Sequence, residues 1–213
     1  MKRLAMLLGA VLATAVLAAC GGASTGASAG TGGSMSSMGT TASEDHNAAD
    51  VAFAQGMIPH HQQAIEMADL APTRASSPDV KALAQKIREA QAPEITTMTG
   101  WLTSWGEPTT APSASGGMDM DHGDMSSMPM AMPSASTGGM MSEADMAMLR
   151  NASGRDFDRM FLTMMIQHHR GAIAMATTEQ HDGRYGPAKQ LAGAIVTSQT
   201  AEITTMQTLL QKI

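Results

Sequence analysis

Residues Met57–Ala68 read MIPHHQQAIEMA, and Met165–Ala176 read MIQHHRGAIAMA. A shift of 108 residues carries one stretch onto the other, and it aligns 50–102 with 158–210 without a gap, 21 of 53 positions being identical. Self-similarity at one fixed offset marks a duplicated structural unit rather than a shared composition. The identities concentrate in two blocks. The first is Asp50, Phe53, Met57, Ile58, His60, His61, Ala64, Ile65, Met67 and Ala68; the second is Gln91, Glu94, Ile95, Thr96, Thr97 and Met98. Each half therefore predicts one helix with adjacent histidines and one helix carrying Glu-Ile-Thr-Thr-Met.

Punctuation residues set the helix bounds. The first helix is expected from about Asp45 to Leu70, ending at Pro72, with Pro59 as a local kink. Ser77-Pro78-Asp79 supplies an N-cap, a proline at the first helical position and an early acid, opening a second helix to about Trp105 that bends near Pro93. Ser142 to Ser153 reads as a short extra helix closed by Gly154. Arg155 to about Gln180 and Pro187 to Lys212 then repeat the pair. Short connections between long consecutive helices favour antiparallel neighbours, so the fold class expected is all-α, two duplicated hairpins forming an antiparallel four-helix bundle.

The chain begins with Lys2 and Arg3, an apolar run from Leu4 to Ala19, and Leu17-Ala18-Ala19-Cys20 before Gly21-Gly22. Those are the three parts of an export signal, and the apolar core is short for a membrane span. Its end resembles the lipobox of bacterial lipoproteins, which implies a signal peptide over 1–19, lipidation of Cys20 and attachment to the outer face of the bacterial cytoplasmic membrane or cell envelope. Cys20 is the only cysteine, so an intrachain disulfide and a thiolate cluster are both excluded. Without residues 1–19 the net charge moves from −6 to −8, with 11 basic against 19 acidic residues, which argues against nucleic acid as a partner.

Residues 20–43 are Gly, Ser, Ala and Thr with little to bury, and read as a flexible tether. The domain proper is 44–213, with halves 44–106 and 142–213 around a low-complexity stretch, 107–141, read as disordered. Aromatics make up 3% of residues while hydrophobics reach 43%, the balance coming from Ala, Leu, Ile and 22 methionines, a mixture suited to helices rather than sheets.

On a wheel of about 100° per residue, Asp50, Phe53, Met57, His61, Ala64 and Ala68 share a stripe, with His60 on its flank. Adjacent histidines cannot point the same way, so one should face the bundle axis and the other a neighbouring helix. Leu83, Ile87, Gln91, Glu94 and Met98 form the partner stripe, in which a carboxylate is the informative departure because burying it unpaired is costly. Packing the stripes together gathers Met57, His60, His61, Glu94 and Met98 in one half, and Met165, His168, His169, Glu202 and Met206 in the other, as candidate metal ligands. Imidazole with thioether favours soft Cu(I); imidazole with carboxylate alone suits iron, manganese or zinc. Each glutamate is either a ligand or an acceptor that fixes a histidine tautomer. Met67 and Met175 read as core filler, and Asp50 and Asp158 as acids serving the first turns of their helices.

The stretch Met118–Met132 places six methionines, Met118, Met120, Met125, Met128, Met130 and Met132, around His122 within fifteen residues. Asp, Gly and Pro interrupt every apolar run, so this is no core. It resembles the methionine-rich segments of exported bacterial copper-resistance proteins, which implies capture of Cu(I) or Ag(I); a biased linker and oxidant scavenging are the alternatives.

The paired His-His segments, SPDVKALAQKI, QAPEITTMTGWL and SGRDFDRMFLTMMIQHH together resemble the domain of unknown function 305 (DUF305) family of exported bacterial proteins, over roughly Asp45 to Gln211 apart from the Met-rich stretch. That resemblance implies a ferritin-like bundle and, in some members, copper binding or tolerance. The Glu-x-x-His arrangement of di-iron bundles is absent, since Thr97 follows Glu94 and Thr205 follows Glu202, and Glu66 becomes Ala174. No nucleophile elbow, phosphate-binding glycine loop or His-Glu-x-x-His motif occurs. The expected function is extracytoplasmic metal binding, Cu(I) or Ag(I) sequestration without catalysis. The alternatives are a di-metal oxidoreductase using iron or manganese and a metal-free structural or interaction module.

Overall fold

A computed structural model describes residues 45–109 and 138–213. The segments expected to be a signal peptide (1–19) and a tether (20–43), with Cys20, and the Met118–Met132 stretch lie outside the described residues. Five helices follow in order: α1 (Ala48–Arg74), α2 (Pro78–Trp105), α3 (Glu143–Asn151), α4 (Gly154–Asp182) and α5 (Gly186–Leu210). The all-α bundle expected from the duplication is what the chain forms, and no helix among the described residues is long and apolar enough to cross a membrane.

Local chemistry explains most boundaries. Asn47 caps α1, its side chain accepting the N–H groups of Ala49 and Asp50 while Asp50 accepts that of Asn47. Ser77 and Pro78 open α2, and Gly106, at φ 73°, closes it in the left-handed conformation that glycine adopts without strain. Ser142 and Asp145 make a second reciprocal cap on α3. Three expectations need correction. Helix α1 runs through Pro72 to Arg74, because a proline near the last turn removes one hydrogen bond without ending the helix. Gly154 begins α4 rather than closing α3, which ends at Asn151. The stretch 107–141 is not wholly irregular linker either: Gly138–Met141 is seated on the bundle by hydrogen bonds from α1.

Helix α1 packs along α2, α4 along α5, and the two hairpins join chiefly through α1 against α4. The core is split. One apolar cluster takes the C-terminal half of α1 (Ala64–Ala71), the start of α2 (Val80–Ile87), α3, the start of α4 (Phe157–Ile166) and Met206 and Leu209 of α5. The other takes Phe53–Ile58 of α1, Met98 and Leu102 of α2, Ala172 and Ala176 of α4 and Tyr185–Ile195 around the start of α5. Each cluster thus draws on both halves of the duplication. Trp101, Trp105 and Tyr185 close the second cluster edge to face, with ring centroids 5.3–5.5 Å from Tyr185.

Candidate metal centre

Between the two apolar clusters each long helix contributes a polar step: His60 and His61 from α1, Gln91 and Glu94 from α2, His168 and His169 from α4, Gln199 and Glu202 from α5. All four histidines are buried, as are both glutamines. Such a layer survives in an apolar interior only if hydrogen bonds or a ligand satisfy it.

The adjacent histidines divide as the wheel expects. His61 turns to its own hairpin partner, where Nε2 donates to Oε2 of Glu94 at 2.7 Å. His169 does the same with Glu202 at 2.5 Å. His60 and His168 face one another across the α1–α4 junction, ring centroids 3.8 Å apart and tilted by 44°. His60 Nε2 donates to the carbonyl of Gly138 at 2.9 Å.

Because carboxylates and carbonyls only accept, Nε2 carries the proton in His60, His61 and His169. A neutral imidazole has a single N–H, so in His60 the lone pair lies on Nδ1. The Nδ1 atoms of His60, His61 and His169 are buried without a hydrogen-bond partner, as are both ring nitrogens of His168. Burial pushes the His60 imidazole down to about 4, only partly opposed by the Gly138 carbonyl. Burial, and then the charge of His60, hold His168 well below the usual imidazole range. Both rings of the facing pair are therefore neutral at pH 7.

The thioethers flank this layer. Met57 and Met98 lie in one apolar cluster, Met165 and Met206 in the other, all fully buried. Met67 is fully buried core filler, as expected. The two glutamates are the least enclosed members, their side chains about 20% exposed. Among the described residues no three His, Cys, Asp or Glu side chains are already grouped as a metal site; each glutamate is directed at one histidine rather than at its opposite number.

Asp50 and Asp158 lie outside the layer. Asp50 accepts the backbone N–H groups of Arg184 and Tyr185, at the entry to α5. Asp158 accepts those of Ser76 and Ser77, at the entry to α2, and the Ser76 hydroxyl. Beyond a first-turn role, then, each acid of one half clasps the interhelical connection of the other.

Gln91 and Gln199, whose amide oxygens are buried without a partner, were not among the candidate ligands; their identity in both halves, within an apolar stripe, was the available signal. Glu179, 1% exposed, was not among them either; it stands where the first half has Ala71.

The fold and the layer define a duplicated helical bundle with two His-His/Glu sets at its waist. The chain belongs to the DUF305 family, a domain of unknown function, whose model matches residues 50–210. Among solved structures it is similar to a DUF305 protein from Streptomyces coelicolor, 32% identical over 77% of this chain and 91% of that one, TM-score 0.64. A DUF305 fragment from Deinococcus radiodurans is 31% identical over 78% of this chain and 98% of that one, TM-score 0.63. CopM in its Cu(I)-bound form is 30% identical over 76% of this chain and 96% of that one, TM-score 0.58, and CopM has also been solved with Cu(II) and with Ag. No curated protein matches.

Proposed function

We propose that this chain is an exported metal-binding protein that takes Cu(I) or Ag(I) as cargo in its histidine layer, and that it sequesters or hands on the ion without catalysis. The observation that carries the reading is the set of ring nitrogens left without partners in a buried, polar layer. Buried polar atoms are ordinarily satisfied, and lone pairs held on neutral imidazoles are what a metal ion requires. In three of the four rings Nε2–H rests on a carbonyl or carboxylate, the outer support that orients a ligating histidine. Glu94 and Glu202 then act as acceptors fixing His61 and His169. Met57, Met98, Met165 and Met206 bias the site towards soft ions, and CopM, similar in fold and sequence, is known with copper and silver bound.

In the same proposal Cys20 carries the lipid that holds the protein at the outer face of the membrane, and the methionines and His122 of the Met118–Met132 stretch collect the ion at lower affinity. An iron or manganese oxidoreductase fits less well, because its bridging carboxylates would have to come from glutamates that are each engaged by a histidine.

Anaerobic Cu(I) titration of the mature protein tests the reading. The expected result is tight binding that is lost when His60, His61, His168 and His169 are all changed to Gln. Unchanged stoichiometry and affinity in that variant would overturn the helical site. Two tightly held irons or manganeses per chain after native purification would overturn the choice of metal.

A further inference from the structure

Gly138–Met141 crosses the α1–α4 junction against the histidine layer, seated by contacts from both helices. The Gly138 carbonyl accepts Nε2–H of His60 at 2.9 Å. Gln63 holds Met141 at both backbone groups, accepting its N–H at 2.7 Å and donating to its carbonyl at 2.9 Å. On the α4 side the backbones are so close that a Cβ on Gly171 would lie 1.9 Å from the Gly138 oxygen. Gly138 and Gly139 themselves have φ of 94° and 81°, which L side chains rarely adopt.

Gln63 and Gly171 are equivalent positions of the duplication, 108 residues apart. The halves diverge here, one supplying a two-handed amide and the other the absence of a side chain, and both serve the same strap. The consequence falls unequally on the facing histidines. The strap gives His60 an acceptor for one ring nitrogen and gives His168 none, and both nitrogens of His168 are buried without a well-placed hydrogen-bond partner.

We propose that the strap is a positioning element for one metal-binding imidazole. It holds His60 in the Nε2–H tautomer, so that Nδ1 is its sole ligating atom, and leaves His168 free to bind through either nitrogen. Gln63, Gly138 and Gly171 are then positioning residues that set the affinity of the layer for a soft monovalent ion. The inference rests on the proposed function. Its physical basis is that the hydrogen bond at one ring nitrogen decides which atom of a neutral imidazole carries the lone pair. A ring without that support must be ordered when the ion arrives, and such outer partners are worth about 10–100-fold in metal affinity.

Two variants of the full mature chain release the strap from opposite sides. Gly171→Ala favours the helix itself but its Cβ must displace the Gly138 carbonyl; Gln63→Ala removes both bonds to Met141 without touching α4. The first readout needs no metal. Imidazole 15N NMR of the metal-free protein is expected to show His60 as a hydrogen-bonded Nε2–H tautomer that both variants lose, while His61 and His169 keep theirs on Glu94 and Glu202. The second readout is Ag(I) titration, with affinity falling about 10–100-fold in both variants at unchanged helical circular dichroism. Retention of the His60 tautomer in both variants overturns the proposal even if silver binds. Equal or tighter Ag(I) binding by the variants overturns it too, since the strap would then be idle or obstructive. Absence of Ag(I) binding by the wild type removes the proposed function and the affinity role together, and the tautomer result identifies that failure as one of function rather than of the strap.

Discussion

Asp50, near the start of α1, accepts the backbone N–H of Tyr185 at the entry to α5 at 2.9 Å, 135 residues along the chain. The same carboxylate takes the N–H groups of Arg184 and of its own cap residue Asn47. Burial alone would raise its pKa, but these donors and Glu179 outweigh burial and leave it below the usual carboxylate value. Losing the side chain strands the buried N–H of Tyr185, worth about 1–3 kcal/mol when unsatisfied, together with the half-buried donors of Arg184 and Asn47. Asp50→Ala is therefore expected to destabilise the fold by about 3 kcal/mol or more, and Asp158→Ala by a similar amount, in urea unfolding at pH 7. An effect below about 0.5 kcal/mol in both would show that the clasps carry no weight.

Glu179 stands beside Asp50, and burial first, then Asp50, push its carboxyl up from 4.5 to about 8. A raised folded-state pKa means that the native protein holds a proton the unfolded chain gives up. That stabilisation is complete below about pH 4.5 and is lost as pH rises through about 8. The wild type should thus lose melting temperature between pH 6 and 9, by several degrees. Glu179→Gln, which cannot ionise, should flatten that limb. Parallel melting curves for the two proteins over this range would contradict a neutral Glu179 in the native state.

Glu94 supports His61 through a 2.7 Å bond, and Glu202 supports His169 through one of 2.5 Å. As outer acceptors they should matter less than the rings. Glu94→Ala and Glu202→Ala are expected to weaken Cu(I) binding about 10–100-fold, while Glu→Gln, whose carbonyl still accepts Nε2–H, should recover much of the loss. Equal, complete loss of binding in Ala and Gln variants would make the glutamates direct ligands.

Met57, Met98, Met165 and Met206 are fully buried, so their packing and ligand roles need separating. Leucine conserves volume and costs under about 1.5 kcal/mol in a core, but it has no sulfur. Replacing both members of one set, Met57→Leu with Met98→Leu, should leave thermal unfolding of the metal-free protein within a few degrees while lowering Ag(I) affinity. If the double variant binds silver as the wild type does, the thioethers serve packing alone.

Much of this architecture was legible in the sequence because helical periodicity and the 108-residue repeat constrain the same residues twice. The bounds of α2, the division of His60 from His61 and the approach of Glu94 to His61 all follow from spacing along helices of known pitch. What escaped is what spacing does not encode. The pairing of His60 with His168 depends on how one hairpin meets the other, and the reach of Asp50 to Tyr185 joins elements far apart in sequence. The Gly138 strap sits at the edge of a low-complexity stretch, where no periodic pattern marks a fixed backbone. Glu179 drew no attention because its counterpart is Ala71, so the repeat gave no second copy to compare.

The divided core has a further consequence. Each apolar cluster draws its residues from both repeats, so a single hairpin in isolation would leave half of each cluster in water, with its Asp clasping nothing. A second copy of itself, laid antiparallel as α1 and α4 are, would bury that surface. The fused chain is in effect a dimer whose protomers cannot dissociate, and fusion let one surface diverge to Gln63 while the other became Gly171. A symmetric pair of identical hairpins could not hold one strap that way.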